Sequence, residues 1–127
     1  MNDVERLLAL EEIKALKARY CRAIDARAWD SWRTCFTDDI AFYLTSKPLV
    51  GADALVDFGI RYLEGATSVH QVHAPEITFV SDTEATGIWA LHDILLWAEP
   101  NMFGTTSMVG YGSYHERYRR LDGTWRI

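Results

Sequence analysis

Asp25 is the acid whose position carries the most information. It follows a stripe of apolar residues at helical spacing, beside Ile24 and two residues before Arg27. The helix dipole opposes a carboxylate at a helix C-terminus by about 0.3–1 kcal/mol. Two arrangements answer that cost. The carboxylate pairs in solvent with Arg22 or Arg27, or it turns inward to hold a histidine or act as a base. His70 and His73, in S-V-H-Q-V-H-A-P-E-I-T-F, are the next groups with chemistry. On a helix, histidines three apart share a face and could bind a metal. On a strand they point to opposite faces, so one imidazole faces the interior and the other solvent. An interior histidine is either a hydrogen-bonded core residue or, when a carboxylate orients it, the commonest kind of general base.

His92 and Asp93 lie in the middle of the apolar run I-W-A-L-H-D-I-L-L-W. Whichever parity faces inward, a polar group is set against apolar surface and needs a partner or a shifted pKa. Asp93 reads as a polar contact in a pocket, with a hydrogen bond at a subunit interface as the other reading. Tyr20, Tyr43, Tyr111, Tyr114 and Tyr118 can each donate to a ligand oxygen or serve the core; His115, opposite in parity to Tyr114, reads as exposed. There is no glycine-rich phosphate loop, no G-x-S-x-G, no H-E-x-x-H and no C-x-x-C. Cys21 and Cys35 have no metal-ligand spacing. The expectation is free thiols, no metal and no cofactor.

The elements that must carry these groups follow from periodicity. Residues 4–26 form a helix, with Leu7, Leu10, Ile13, Leu16, Tyr20 and Ile24 on one stripe. Residues 29–36 form a short second helix. Thr37 to Asp39 is a turn, 40–45 a strand, and Pro48 to Gly51 another turn. A third helix runs over 52–65 on Leu55, Phe58, Ile60 and Leu63, with Gly65 as its stop. Strands follow over 70–80, 83–98, 105–120 and 124–127, joined at Ser81-Asp82, Glu99 to Gly104 and Leu121 to Gly123. This order is α+β, with helices packed on one face of a curved antiparallel sheet. The strand around His92 is apolar on both parities. The helical layer and an internal pocket cover one face; a neighbouring subunit covering the other makes a homo-oligomer.

The chain has 127 residues, 49% hydrophobic and 24% charged, without repeat, low-complexity tract or linker. That is the size of one domain spanning 1–127, able to form its own core. Five tryptophans, six tyrosines and five phenylalanines suit either a core of large side chains or an aromatic-lined pocket for an apolar or ring-shaped ligand. The net charge of −5 argues against a nucleic-acid partner. The apolar runs fall far short of the ~20 residues a membrane helix needs. The charged, helical N-terminus is not a signal peptide, so a cytoplasmic location is expected.

Several ordered segments resemble a SnoaL-like domain of the nuclear-transport-factor-2-like superfamily. They are the opening E-E-I-K-A-L-K-A-R-Y-C-R-A-I-D-A-R-A-W-D-S-W-R-T-C-F-T-D-D, Val50 to Leu55, Val69-His70-Gln71 running into Ala74-Pro75-Glu76-Ile77, Gly112 to Tyr118, and Asp122 to Ile127. The resemblance spans nearly the whole chain and implies a cone: a bent antiparallel sheet wrapped around a long N-terminal helix (a cystatin-like fold), enclosing a deep apolar cavity. The superfamily includes dehydratases, isomerases, epoxide hydrolases, polyketide cyclases and non-catalytic binders. The chain looks closest to the scytalone dehydratase and hexachlorocyclohexane dehydrochlorinase branch, whose members pair a helix-end aspartate with a strand histidine. Those positions fall on Asp25 and His70, with His73 as the near alternative. Lining positions fall on Tyr20, Phe42, Leu91, Asp93 and Tyr114. The dehydrochlorinase lysine is replaced by Tyr20, which speaks against dehydrohalogenation. Ile24 stands where the dehydratase has a tyrosine. The function this implies is a cofactor-independent, dehydratase-like lyase or isomerase acting on a small apolar molecule, in a homodimer or homotrimer. The other reading is a non-catalytic binding or oligomerisation domain.

Overall fold

Asn2 starts the first helix. Its side chain accepts the Glu5 N–H at 2.9 Å while the Glu5 carboxylate accepts the Asn2 N–H at 2.7 Å, a reciprocal capping box. In the computed structural model, which describes residues 1–127, the helix α1 spans Asp3–Asp25. Ile13, Leu16, Tyr20 and Ile24 are buried along it, as their spacing predicts. Leu7 is not; it is 63% exposed, and Val4 and Leu8 beside it are exposed as well.

The helix α2, Trp29–Arg33, leads into the buried Cys35 and Phe36. The predicted strand at 40–45 contracts to β1, Ala41–Phe42, because its only partner is the equally short β2, Leu49–Val50, where a turn was expected. Tyr43 and Leu44 are consequently exposed. The helix α3, Ala52–Tyr62, buries Ala52, Leu55 and Gly59, and Leu63 follows as its buried cap, while Ile60 faces solvent.

Four antiparallel strands make the main sheet in the order β3-β4-β5-β6: Ala66–Phe79, Glu84–Trp97, Ser107–Leu121 and Thr124–Arg126. β3 begins four residues before the predicted strand. Its register with β4 shifts between His73 and Glu76, at Ala74-Pro75, where proline has no N–H to give the ladder. The bulge bends β3 and helps to curl the sheet over α1. The fold is therefore the α+β cone that the resemblance implies. At its far end the Thr37 N–H donates to the Ile127 carbonyl, and the Ile127 N–H to the Cys35 carbonyl, both at 2.8 Å, which ties β6 to the segment after α2.

On β4 the inward parity is Ala85, Gly87, Trp89, Leu91, Asp93, Leu95 and Trp97; Ile88, Ala90, Ile94 and Leu96 are exposed on the outer face. Gly87 is required by packing. A Cβ there would lie 2.9 Å from the Tyr118 ring and hydroxyl, and Tyr118 is held in place by the Trp89 indole N–H at 2.7 Å. Gly87→Ala is expected to destabilise the fold by about 1–3 kcal/mol, read from chemical denaturation. No helix is long and apolar enough to cross a membrane.

Candidate active site

The chain reverses at the end of α1 through Arg27, which adopts a left-handed backbone conformation with φ of 57°. For a residue with a Cβ this conformation costs about 1–2 kcal/mol. The Arg27 side chain offsets that cost by clamping the helix end to the start of β3. Its Nη1 donates to the Ile24 carbonyl at 2.7 Å and to Ser68 Oγ at 2.8 Å, and its Nη2 to the Ala66 carbonyl at 2.5 Å. The last turn of α1 is thereby set against the inner face of β3, with Ser68 and His70, two residues apart, both pointing at Asp25.

The Asp25 carboxylate accepts three hydrogen bonds there. Ser68 Oγ–H donates to Oδ1 at 2.9 Å, the His70 backbone N–H to Oδ2 at 2.8 Å, and the His70 ring nitrogen Nδ1 to Oδ1 at 2.6 Å. Burial acts to raise the Asp25 carboxyl, but the bonds from the His70 ring, the His70 backbone and Ser68 outweigh it and hold the group below its ordinary value. An ionised Asp25 places the ring proton of His70 on Nδ1 and leaves Nε2 as the nitrogen that can take a proton. The His70 side chain is 8% exposed and the Asp25 side chain 26%. Because the folded carboxyl sits below its unfolded value, its contribution is complete above the ordinary carboxylate range and is lost as pH falls through the lowered value. Wild type is therefore expected to lose stability at acid pH more steeply than Asp25→Asn, in thermal melts taken across that range.

His73 does not join this group. It pairs with Ala90 on the outer face of the sheet and is exposed, because residues three apart on a strand point to opposite sides. This corrects its assignment as a pocket residue. Asp25 likewise makes no solvent pair with Arg22 or Arg27; Arg27 meets only its backbone carbonyl. Phe42 packs against the core from β1. Tyr20 is buried on α1, Tyr114 faces inward from β5, and their rings lie 6.0 Å apart. Leu91 and Asp93 face inward from β4, and Asp93 is the direct cross-strand partner of His70. Of the other tyrosines, Tyr43 and Tyr111 are exposed, and Tyr118 donates to Glu116. His92, on the outward parity, stacks on Tyr111 with ring centroids 4.7 Å apart. His115 is exposed, as its parity predicts.

A second charged pair, Lys17 and Glu116, was not expected from the sequence. Lys17 Nζ donates to Glu116 Oε1 at 2.5 Å with no exposed side-chain surface, and sits 3.5 Å and 4.0 Å from the ring centroids of Tyr114 and Tyr20. Glu116 also accepts the Tyr118 hydroxyl at 2.5 Å, and Tyr118 in turn accepts the Trp89 N–H. Burial and the negative charges nearby push the Tyr20 and Tyr114 phenols up, so both stay protonated donors. Burial likewise pushes the Cys21 thiol up to about 11, which keeps it an inert thiol at neutral pH. Two surface depressions, of about 230 and 310 Å³, lie along Glu12, Arg19 and Trp125 and along Thr86, His115 and Arg117; neither is lined by Asp25 or His70.

A model of the SnoaL-like domain matches residues 5–127. The chain belongs to the SnoaL-like domain family. Among solved structures, a variant of Rv3472 from Mycobacterium tuberculosis, a protein of unknown function, is 29% identical over 95% of this chain and 72% of its own, with a TM-score of 0.80. A protein from Novosphingobium aromaticivorans DSM 12444 named "Putative Scytalone Dehydratase" is 21% identical over 99% of this chain and 83% of its own, with a TM-score of 0.85. A hexachlorocyclohexane dehydrochlorinase, LinA type 2, is 20% identical over 98% of this chain and 84% of its own, with a TM-score of 0.83. At these identities the last two likenesses are of fold.

Proposed function

We propose that this SnoaL-like domain is a cofactor-independent lyase or isomerase, dehydratase-like in its chemistry, acting on a small apolar cyclic or polyketide-like molecule inside the cone. The observation that carries this reading is the 2.6 Å contact between Asp25 Oδ1 and His70 Nδ1. His70 Nε2 removes a proton beside a carbonyl or leaving group. Asp25 holds the reactive tautomer and stabilises the imidazolium that forms. Tyr20 and Tyr114, kept protonated, are the candidate donors to an oxygen that gains charge. Leu91 and Phe42 supply apolar surface for the substrate. The protein works as a homodimer or homotrimer, and the exposed Ile88, Ile94 and Leu96 on the outer sheet face are what a second subunit would cover. A screen of cyclic ketones, alcohols and epoxides for turnover, without added metal or nucleotide, tests the reading. Turnover by wild type supports it, and the absence of turnover across all three classes counts against it.

A second reading has its own support. Tyr20, Trp32 and Phe36 pack on one another with ring centroids 4.9 to 5.8 Å apart, filling part of the interior with the chain's own aromatics. A domain that binds or assembles without catalysis would show ligand affinity, or none, unchanged by Asp25→Asn.

A further inference from the structure

Two carboxyl groups flank His70, and the fold treats them in opposite ways. Asp25, on α1, receives three hydrogen bonds. Asp93, directly across the strand pair from His70, faces inward with its Oδ1 shut off from solvent and without a hydrogen-bond partner. A charged carboxylate left in that state is costly, whereas a neutral acid loses much less and gains an O–H to donate. The space beside Asp93 is kept open from the other side. Its partner on β5 is Gly110, and Leu91 faces Gly112, so two successive inward positions of β5 carry no side chain. A Cβ at Gly110 would come within 3.9 Å of Asp93 Oδ2, while one at Gly112 would meet nothing within 4 Å.

The groups around Asp93 act on it unequally. Burial raises its carboxyl above the ordinary value, and the negative Asp25 adds to this. His70 and Lys17, with the Gln71 backbone N–H, pull the other way without reversing it. Burial is the main cause that raises the phenols of Tyr114, from β5, and Tyr62, from α3, and a negative charge on Asp93 would raise both further. Titratable groups whose surroundings drive them apart divide into an acid and a base.

We propose that the Asp93 carboxyl is the hydrogen-bond and proton donor facing His70, and that the substrate is therefore a carbonyl compound whose reactive C–H lies next to the oxygen that Asp93 contacts. This rests on the reading of His70 as the base. In the step, His70 Nε2 takes the α-proton, and the C–H electron pair becomes the C=C bond. The carbonyl π pair moves to oxygen, and Asp93 releases its proton there. The products are the enol, an imidazolium and the Asp93 carboxylate. Return of a proton from the imidazolium to the same carbon, with the enol O–H reprotonating Asp93, exchanges the α-hydrogen. In a β,γ-unsaturated carbonyl compound its return at the γ-carbon instead completes an isomerisation. Cross-strand neighbours stand roughly 4.5–5.5 Å apart at Cβ, a span that suits two groups reaching adjacent atoms of one small molecule.

The test uses the full chain with 2-tetralone as probe, following α-proton exchange in deuterated water by NMR, and infrared difference spectra of wild type against Asp93→Asn at neutral pH. The expected infrared result is a protonated-acid carbonyl band in wild type that Asp93→Asn removes. Exchange is expected to fall about 10²–10³-fold in Asp93→Ala, the scale for loss of a donor to a developing oxyanion. It should fall less in Asp93→Asn, whose amide donates a hydrogen bond but releases no proton. An ionised Asp93 in the infrared overturns the proposal. So does exchange that is lost in His70→Ala but intact in Asp93→Ala, and that outcome leaves the His70 reading standing. Wild type that exchanges no α-proton overturns the proposal together with the reading beneath it.

Discussion

Lys17→Met is expected to cost about 3–5 kcal/mol and to lower the melting temperature by about 10–20 °C. Lys17 has no exposed side-chain surface, and its ammonium is neutralised by Glu116 at 2.5 Å. Removing the cation leaves Glu116, 9% exposed at its side chain, with the Tyr118 hydroxyl as its remaining donor. An uncompensated buried carboxylate is the expensive species, more so than the lost attraction itself. The double variant Lys17→Met with Glu116→Gln should therefore recover a substantial part of the loss, because no isolated charge remains. Thermal melts of the two variants against wild type decide the matter. A single variant as stable as wild type would mean that the pair is not closed off from water as described.

Asp25→Asn is expected to lower turnover of whichever substrate the screen identifies by about 10⁴-fold, the scale seen when an amide replaces the carboxylate that orients a catalytic imidazole. The reason lies in the proton inventory. The carboxylate accepts from Nδ1, so Nε2 is free to act as base. An asparagine can turn its NH₂ towards Nδ1, which then accepts, and the ring proton moves to Nε2, where it blocks the base. His70→Ala removes the base itself and should cost about 10²–10⁴-fold. Nitrogen chemical shifts of the His70 ring report the tautomer without any substrate, and they should change in Asp25→Asn while the backbone amide spectrum stays close to wild type. Turnover at the wild-type rate in either variant would remove the dyad from the mechanism.

The two charged groups at the centre of these predictions were unequally visible before folding. Asp25 is legible because a helix-end acid beside an apolar stripe needs a reason. Lys17 is less so, although the signal is present. Ile13, Lys17, Tyr20 and Ile24 share one helical face, so the stripe that buries its neighbours buries Lys17 as well. Glu116 carries the same message in period two, lying between the inward-facing Tyr114 and Tyr118 on β5. Reading charged residues by position rather than by type would have placed both inside the cone.

Local chemistry was enough to determine the long capped helix, the third helix, the long antiparallel strands and their hairpins, because each follows from nearest-neighbour periodicity and turn residues. It was also enough to establish that His70 and His73 must face opposite sides, since a strand's alternation needs no partner. Which of them faces inward was decided by tertiary structure: β3 begins at Ala66, and Arg27 and Ser68 lock that start against the end of α1. The same holds for the two carboxyls. In sequence Asp25 and Asp93 are both acids in apolar surroundings. Only the assembled fold gives one of them three donors and the other a glycine-lined gap, because the bonds from Ser68 and His70 to Asp25 do not exist until α1 docks on β3, and the gap not until β4 pairs with β5.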